Sequence, residues 1–157
     1  DVSIPAMSEP ILLGRSFTLD ADLVLDSAAA SGAVVALGSH FGGWSLYLDH
    51  GHPTFIWARS TDPKEITRVR ADKALPQGKT NLRLRFAVAK PGGPATVTLS
   101  SGGAELASQS LPSSFLMPAG GGETLDIGRD LGVPVTEYAT PRGAIEGDVP
   151  HVSVTFD

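Results

Sequence analysis

The sequence predicts an all-β protein, built as an antiparallel β-sandwich or jelly roll. Apolar and polar residues alternate with a period of two in several short segments, as in strands that bury one face. Turn-forming residues are frequent, with 18 glycines and 12 prolines among 157 residues. No window longer than one or two turns has the period of a helix. Many short strands with turn signals between them are typical of a sandwich or barrel.

Two segments show the alternation most clearly. In residues 16–26, every second residue from Phe17 to Leu25 is apolar, while Asp20 and Asp22 lie on the opposite face. In residues 81–89, leucine, phenylalanine and valine alternate with Arg83 and Arg85. We expect the apolar residues of both strands to face a common core.

The other strands are expected to be shorter and to follow one another through turns. A hairpin is predicted at residues 49–52, because Gly51 can adopt the positive φ that a tight turn needs. Residues 1–15 have no clear period and are assigned to a lead-in or linker, before a single domain over residues 16–157. The remaining strands are predicted at residues 33–37, 44–48, 53–58, 66–70, 95–99, 104–110, 124–128 and 144–156, with loops at 73–81 and 112–122.

Composition excludes several classes of function. The chain has no cysteine, which excludes disulfides, thiolate metal sites and a cysteine nucleophile. Its net charge of −5 disfavours nucleic acid as a partner, and no apolar run is long enough for a membrane-spanning helix. The length suggests one domain. Because the chain starts at Asp1 without a signal-like pattern, we expect it to derive from a longer protein.

Basic residues are concentrated in one block, since nine of the 12 lie between Arg59 and Lys90. Such a block can face an anionic ligand, or its arginines can pair with acidic strands beside them. Tryptophan and tyrosine rings stack on sugars, and guanidinium groups bind carboxylate or sulfate with two hydrogen bonds. The candidate ligand-binding residues are therefore Tyr47, Trp57, Arg59, Arg83 and Arg85, although Trp57, like Trp44, is also a candidate for the core.

Three other groups of residues have structural explanations that we prefer. His50 and His52 share a hairpin tip, where two imidazoles are too few for a metal site and are typical of an exposed turn. Asp20 and Asp22 have the spacing of paired acids, but pairing with Arg83 and Arg85 explains them better. Asp126 and Asp130 offer too few oxygens for calcium. We predict no catalytic residue and no metal ligand.

Several strings, in order along the chain, resemble the C-terminal β-sandwich of large bacterial arylsulfatases. They are GSHFGGWSLYL at residues 38–48, LPQGK at 75–79 leading into NLRLRF at 81–86, GPATVTL at 93–99, AIEG at 144–147 followed by VSV at 152–154 and, most specifically, LDIGRDLGVPV at 125–135. The resemblance covers about residues 14–157. It departs from the family at residues 54–59, where the chain reads TFIWAR.

The resemblance implies a concanavalin A-like jelly roll of the lectin and glucanase type, attached to a sulfatase catalytic domain. In that family, the catalytic domain hydrolyses sulfate esters with a formylglycine made from a C/S-x-P-x-R segment and holds a divalent metal, usually calcium. That segment is absent here, so no catalytic residue and no cofactor is carried over. The implied partner is the chain's own catalytic domain, in a bacterial cytoplasm or periplasm.

Three functions follow as hypotheses. The first is a non-catalytic accessory domain that packs on an arylsulfatase catalytic domain and shapes access to its substrate. The alternative is a carbohydrate-binding module for sulfated or acidic glycans, with the basic block as its binding surface if Arg68 and Arg70 adjoin Arg83 and Arg85. The third, an independent glycoside-acting enzyme, is disfavoured because the carboxylates fall in turns and on outward faces.

Overall fold

The computed structural model describes residues 2–5, 16–39, 42–90, 92–112, 124–130 and 134–157. Apart from two single-turn 3₁₀ helices at Pro63–Glu65 and Pro141–Gly143, the regular structure of these residues is β. None of the described helices has the length and apolar character needed to cross a membrane. The strands are β1 Val2–Pro5, β2 Phe17–Leu25, β3 Gly32–Ser39, β4 Gly42–Asp49, β5 His52–Ala58, β6 Ile66–Arg70, β7 Gly78–Val88, β8 Ala95–Ser101, β9 Ala104–Leu111, β10 Thr124–Ile127 and β11 Gly147–Phe156.

The described strands form two antiparallel sheets that enclose the core between them. Sheet A has the order β1-β10-β3-β4-β5-β6, and sheet B has the order β11-β2-β7-β8-β9. All the pairings are antiparallel. The prediction of an all-β antiparallel sandwich is therefore confirmed.

The alternating pattern of β2 and β7 places their apolar residues in the core. Phe17 is fully buried and stacks on Phe86, with 5.4 Å between the ring centroids. Trp44 and Phe55 of sheet A complete the aromatic centre, with their ring centroids 6.1 Å apart. The same alternation directs the polar residues of β2 and β7 to the outer face of sheet B, as expected from strand geometry.

Sheet A buries both of its faces. On the outer face, away from sheet B, Ala33, Tyr47 and Ile56 form a second apolar cluster with Val135. Val135 belongs to the segment that follows β10, and we call the part at residues 134–144 the cover segment. This segment supplies the second layer that an apolar outer face needs.

Backbone hydrogen bonds attach the residues that follow the cover segment to the chain beside the ends of β10 and β3. The N–H of Ile145 donates to the carbonyl of Gly128 (3.0 Å), and the N–H of Glu146 donates to that of Ser31 (2.9 Å). Gly32 has φ +128°, and a Cβ there would lie 2.5 Å from the Ala144 carbonyl oxygen. A residue with a side chain could not allow this approach, so the glycine fixes where the chain returns to β11.

The structure corrects the assignment of part of residues 1–15 to a lead-in, because residues 2–5 form β1 and pair with β10. An edge strand of four residues is held by backbone hydrogen bonds and needs no amphipathic period, so the sequence pattern did not reveal it. The loop predicted at 73–81 is shorter than expected, since β7 begins at Gly78, opposite Leu25. Residues 1, 6–15 and 113–123 lie outside the described residues.

The predicted hairpin at residues 49–52 is present. Asp49 pairs with His52, and the two residues between them, His50 and Gly51, have φ of 50° and 86°. Two consecutive positive φ values are the mark of a type I′ turn, which matches the twist of the flanking strands.

We expect Phe17→Ala to lower the free energy of unfolding by about 3–5 kcal/mol, because it removes a large, fully buried ring and leaves a cavity. The measurement is urea denaturation followed by tryptophan fluorescence. Val24→Ala on the same strand is the control. Val24 is 36% exposed, so its truncation should change stability by about 0.5 kcal/mol or less. Equal losses in the two variants would contradict the assigned inward and outward faces of β2.

Candidate functional site

The structure distributes the five predicted ligand-binding residues over three places. Trp57 packs in the core between the sheets and is only 7% exposed, and the Arg59 guanidinium lies 5.4 Å from the centroid of its ring. Tyr47 is on the opposite, outer face of sheet A. Arg83 and Arg85 are on the outer face of sheet B. These residues therefore do not converge on one site.

Arg83 and Arg85 are occupied by acidic partners. Arg83 donates from Nε to Asp20 Oδ1 (2.7 Å) and from Nη2 to Asp20 Oδ2 (3.1 Å). Arg85 forms a two-point ion pair with Asp157, and its hydrogen bonds lower the pKa of that carboxyl. The expected pairing with a basic strand is thus confirmed for Asp20. It is wrong for Asp22, which lies opposite Asn81 on β7, since Arg85 pairs with Asp157 instead.

The topology divides the basic block. Arg68 and Arg70 are on β6, at the edge of sheet A, whereas Arg83 and Arg85 are on β7, in the middle of sheet B. The arrangement in which all four arginines form one surface would have required β6 and β7 to be neighbours, and this condition is not met. Close spacing in sequence did not produce a common surface because the chain changes sheets between the two strands.

A polar cluster on the outer face of sheet A is centred on Tyr138. Its hydroxyl donates to Asp130 Oδ2 (2.5 Å) and shares a hydrogen bond with Ser45 Oγ (3.0 Å). The backbone N–H of Val135 also donates to Asp130 Oδ2 (2.9 Å). Asp130 is 3% exposed, and a carboxylate so deeply buried needs such donors to offset its loss of hydration. Burial and the adjacent Asp130 charge raise the pKa of the Tyr138 hydroxyl well above its ordinary value.

Tyr47 extends this cluster toward the exposed edge of sheet A. Its ring meets that of Tyr138 edge to face, with the centroids 5.5 Å apart. Arg68, whose side chain is exposed, donates from Nε to the Tyr47 hydroxyl (3.3 Å). Burial raises the pKa of Tyr47, and the charge of Arg68 opposes that shift. Arg70 is paired with Asp49 at 3.2 Å.

A pocket of about 430 Å³ opens beside Tyr138, in the cover segment. It contains hydroxyl groups, two carboxylates and one guanidinium, a set suited to a polar ligand with several hydroxyls. Its lining residues are Asp130, Pro134, Thr136, Glu137, Tyr138, Thr140 and Arg142.

The residues considered for metal binding have other roles. His50 is exposed and is bonded to Asp49, as expected for a turn residue. His52 is partly buried, and its Nδ1 lies 2.9 Å from the Ala71 carbonyl oxygen, so the expectation of an exposed turn residue is wrong for His52. Asp130 is engaged by Tyr138 and Val135. Within the described ranges, no three histidine, aspartate or glutamate side chains are grouped as metal ligands.

Sequence reasoning missed Tyr138 and the pocket beside it. Both belong to an irregular segment, in which no period indicates which residues are buried. One signal was present in β5, whose residues at 53–58 are nearly all apolar. A strand that is apolar on both faces must be covered on both sides, which predicts a second layer over sheet A without identifying it.

No protein-family model matches the chain, and no curated protein matches it either. Solved structures with the same fold do match. A heptameric SAP-like pentraxin from Limulus polyphemus aligns with a TM-score of 0.59 at 11% identity, over 97% of this chain and 65% of that chain. Domains LG4-5 of the mouse laminin α1 chain align with a TM-score of 0.57 at 16% identity, over 99% of this chain and 38% of that one.

The LG1-3 region of the laminin α2 chain gives a TM-score of 0.56 at 13% identity, over 95% of this chain and 32% of that chain. This chain thus spans less than two thirds of the length of each of these proteins. The pentraxin and laminin G domains are concanavalin-like jelly-roll sandwiches, and the chain has this fold.

We expect the stability of the protein to fall as the pH rises above about 10, because Tyr138 keeps its proton in the folded state and loses it in the unfolded state. A group whose pKa is higher in the folded state contributes fully to the free energy of unfolding below the ordinary tyrosine pKa. This contribution decreases as the pH rises above that value. One such group gives a slope of about 1.4 kcal/mol per pH unit. Urea denaturation between about pH 8 and 11 measures it.

Tyr138→Phe should remove this component of the slope. Tyr47→Phe is the matched control. The pKa of Tyr47 is also raised by burial, but the charge of Arg68 opposes this shift. We therefore expect Tyr47→Phe to alter the slope less than Tyr138→Phe does. An identical pH dependence in the wild type and Tyr138→Phe would show that the hydroxyl is not buried against Asp130.

Proposed function

We propose that the chain is a non-catalytic accessory domain of a bacterial arylsulfatase, which packs on the catalytic domain and shapes access to its substrate. One observation carries the proposal. The described parts of the most specific string of the resemblance, residues 125–130 and 134–135, contribute to sheet A and to the cover segment. In the described part of this string, Leu125, Asp126, Asp130 and Val135 are all buried.

The chemistry of this unit supports a structural role for its acidic residues. Asp130 accepts hydrogen bonds from the Tyr138 hydroxyl and the Val135 N–H, so its Oδ2 is engaged by the chain itself. Asp126 is 1% exposed, on β10 between β1 and β3. The C/S-x-P-x-R segment that sulfatases convert to formylglycine does not occur in the 157 residues. In this proposal, another part of the parent protein hydrolyses the sulfate ester.

We expect the purified 157-residue chain to show no hydrolysis of an aryl sulfate such as 4-nitrophenyl sulfate, in the presence or absence of added calcium. The sequence of the parent protein upstream of Asp1 should contain a C/S-x-P-x-R segment several hundred residues earlier. An upstream sequence without this segment would overturn the link to sulfatases, and turnover by the chain alone would overturn its non-catalytic role.

A second candidate function is the binding of an acidic glycan on the outer face of sheet A. The observation that favours it is the placement of Arg68, which is exposed beside the aromatic pair Tyr47 and Tyr138. Among the described residues, the ion pairs involve Arg70, Arg83 and Arg85 but not Arg68. An exposed guanidinium can bind sulfate or carboxylate with two hydrogen bonds.

We expect the chain to be retained on immobilised dextran sulfate at low salt and released as salt screens the interaction. Arg68→Ala should weaken binding about tenfold, the usual effect of losing a charged hydrogen bond. Lys79→Ala is the control for net charge, because Lys79 lies on sheet B, and it should bind as the wild type does. A loss confined to Arg83→Ala would place the glycan on sheet B and contradict this candidate, as would no retention at low salt.

A further inference from the structure

Arg142 has a backbone conformation that disfavours arginine. Its φ and ψ are 55° and 24°, in the left-handed region that glycine and asparagine adopt most readily. The surrounding hydrogen bonds hold it there. Its carbonyl accepts from the Asp130 N–H (2.8 Å), and the Gly143 N–H donates to the Thr140 carbonyl (3.1 Å). A strained residue that the fold holds in place is a candidate for a functional role.

The side chain of Arg142 lines the pocket of the cover segment, together with Thr136, Glu137, Tyr138 and Thr140. Arg142 is exposed. The ion pairs found among the described residues do not include it, although Glu137 lines the same pocket. The pocket thus contains a cation whose hydrogen-bonding groups are available to a ligand.

We propose that this pocket is a subsite for one acidic sugar residue and that Arg142 binds its sulfate or carboxylate group. The proposal rests on the second candidate function above, glycan binding on the outer face of sheet A, and gives that function a specific subsite. Arginine fits this task because its planar group forms two parallel hydrogen bonds with either anion. Glycine would suit the backbone better, so the presence of arginine is explained by its side chain.

The rest of the lining defines the ligand further. Thr136 can donate to or accept from sugar hydroxyls, and the exposed Glu137 carboxylate can accept from them. Thr140 can only accept, because its hydroxyl donates to the Ala144 carbonyl (2.7 Å). Glu137 also repels a second anionic group, so a sugar with one charged group and free hydroxyls fits better than a small inorganic anion. A volume of about 430 Å³ is at the small end for ligand pockets, which favours one sugar residue over a long chain.

The subsite is tested by calorimetric titration of the whole chain with four probes. These are a monosulfated disaccharide, a disaccharide containing one uronic acid, the corresponding neutral disaccharide, and inorganic sulfate. We expect the wild type to bind one or both acidic disaccharides more tightly than the neutral one and than inorganic sulfate. The sulfated and uronic probes distinguish the two possible anions.

Arg142→Gly separates the side chain from the fold. It should weaken binding of the acidic disaccharide about tenfold or more and leave the Tm unchanged or raise it by about 2–4 °C, because the strain is relieved. Arg142→Asn, which also tolerates this backbone conformation, provides a second variant if the glycine variant folds poorly. His50→Gly is the control, since His50 also has positive φ but lies outside the pocket, and it should bind normally.

The outcomes separate this inference from the function on which it rests. If the wild type binds none of the acidic probes and is not retained on dextran sulfate, glycan binding itself fails. If the wild type binds and the Arg142 variants bind equally well, the subsite is elsewhere and only this inference fails. Equal affinity of the wild type for the neutral and acidic disaccharides would also overturn the role of Arg142.

Discussion

Sheet A carries apolar side chains on both faces, and this constraint determines where the cover segment lies. Sheet B satisfies one face by packing on sheet A and leaves the other, with its threonines and paired charges, in water. Sheet A cannot do so, because Tyr47 and Ile56 point away from the core. The chain therefore crosses the outer face after β10, and Val135 and Tyr138 bury what would otherwise be an exposed apolar surface.

The cover segment in turn depends on the buried carboxylate of Asp130. The side chain of this residue fixes Tyr138 and Val135, and its backbone N–H fixes the carbonyl of Arg142. One residue thus connects the packing of sheet A with the conformation of the pocket. Because a buried carboxylate without donors is strongly disfavoured, the pocket lining keeps its arrangement only while the cover segment remains in contact with the sheet.

The sequence predicted the strands well and the site poorly, for physical reasons. Alternation identifies a strand with one buried face, as in β2 and β7, and turn residues locate hairpins such as the one at His50 and Gly51. It does not identify an edge strand such as β1 or an irregular layer such as the cover segment, whose positions depend on tertiary contacts. It also does not assign strands to sheets, so Arg68 and Arg83, close in sequence, fall on opposite faces of the sandwich.

The position of β2 has a consequence for the order of folding. This strand lies between β7 and β11, and Ser31, six residues after its end, binds the side chain of Glu146, 115 residues further along the chain. Contacts between such distant residues form slowly, because long loops must close first. During synthesis, one edge of β2 therefore stays without its partner until β11 has left the ribosome. In that interval the unpaired edge is open to association with other chains.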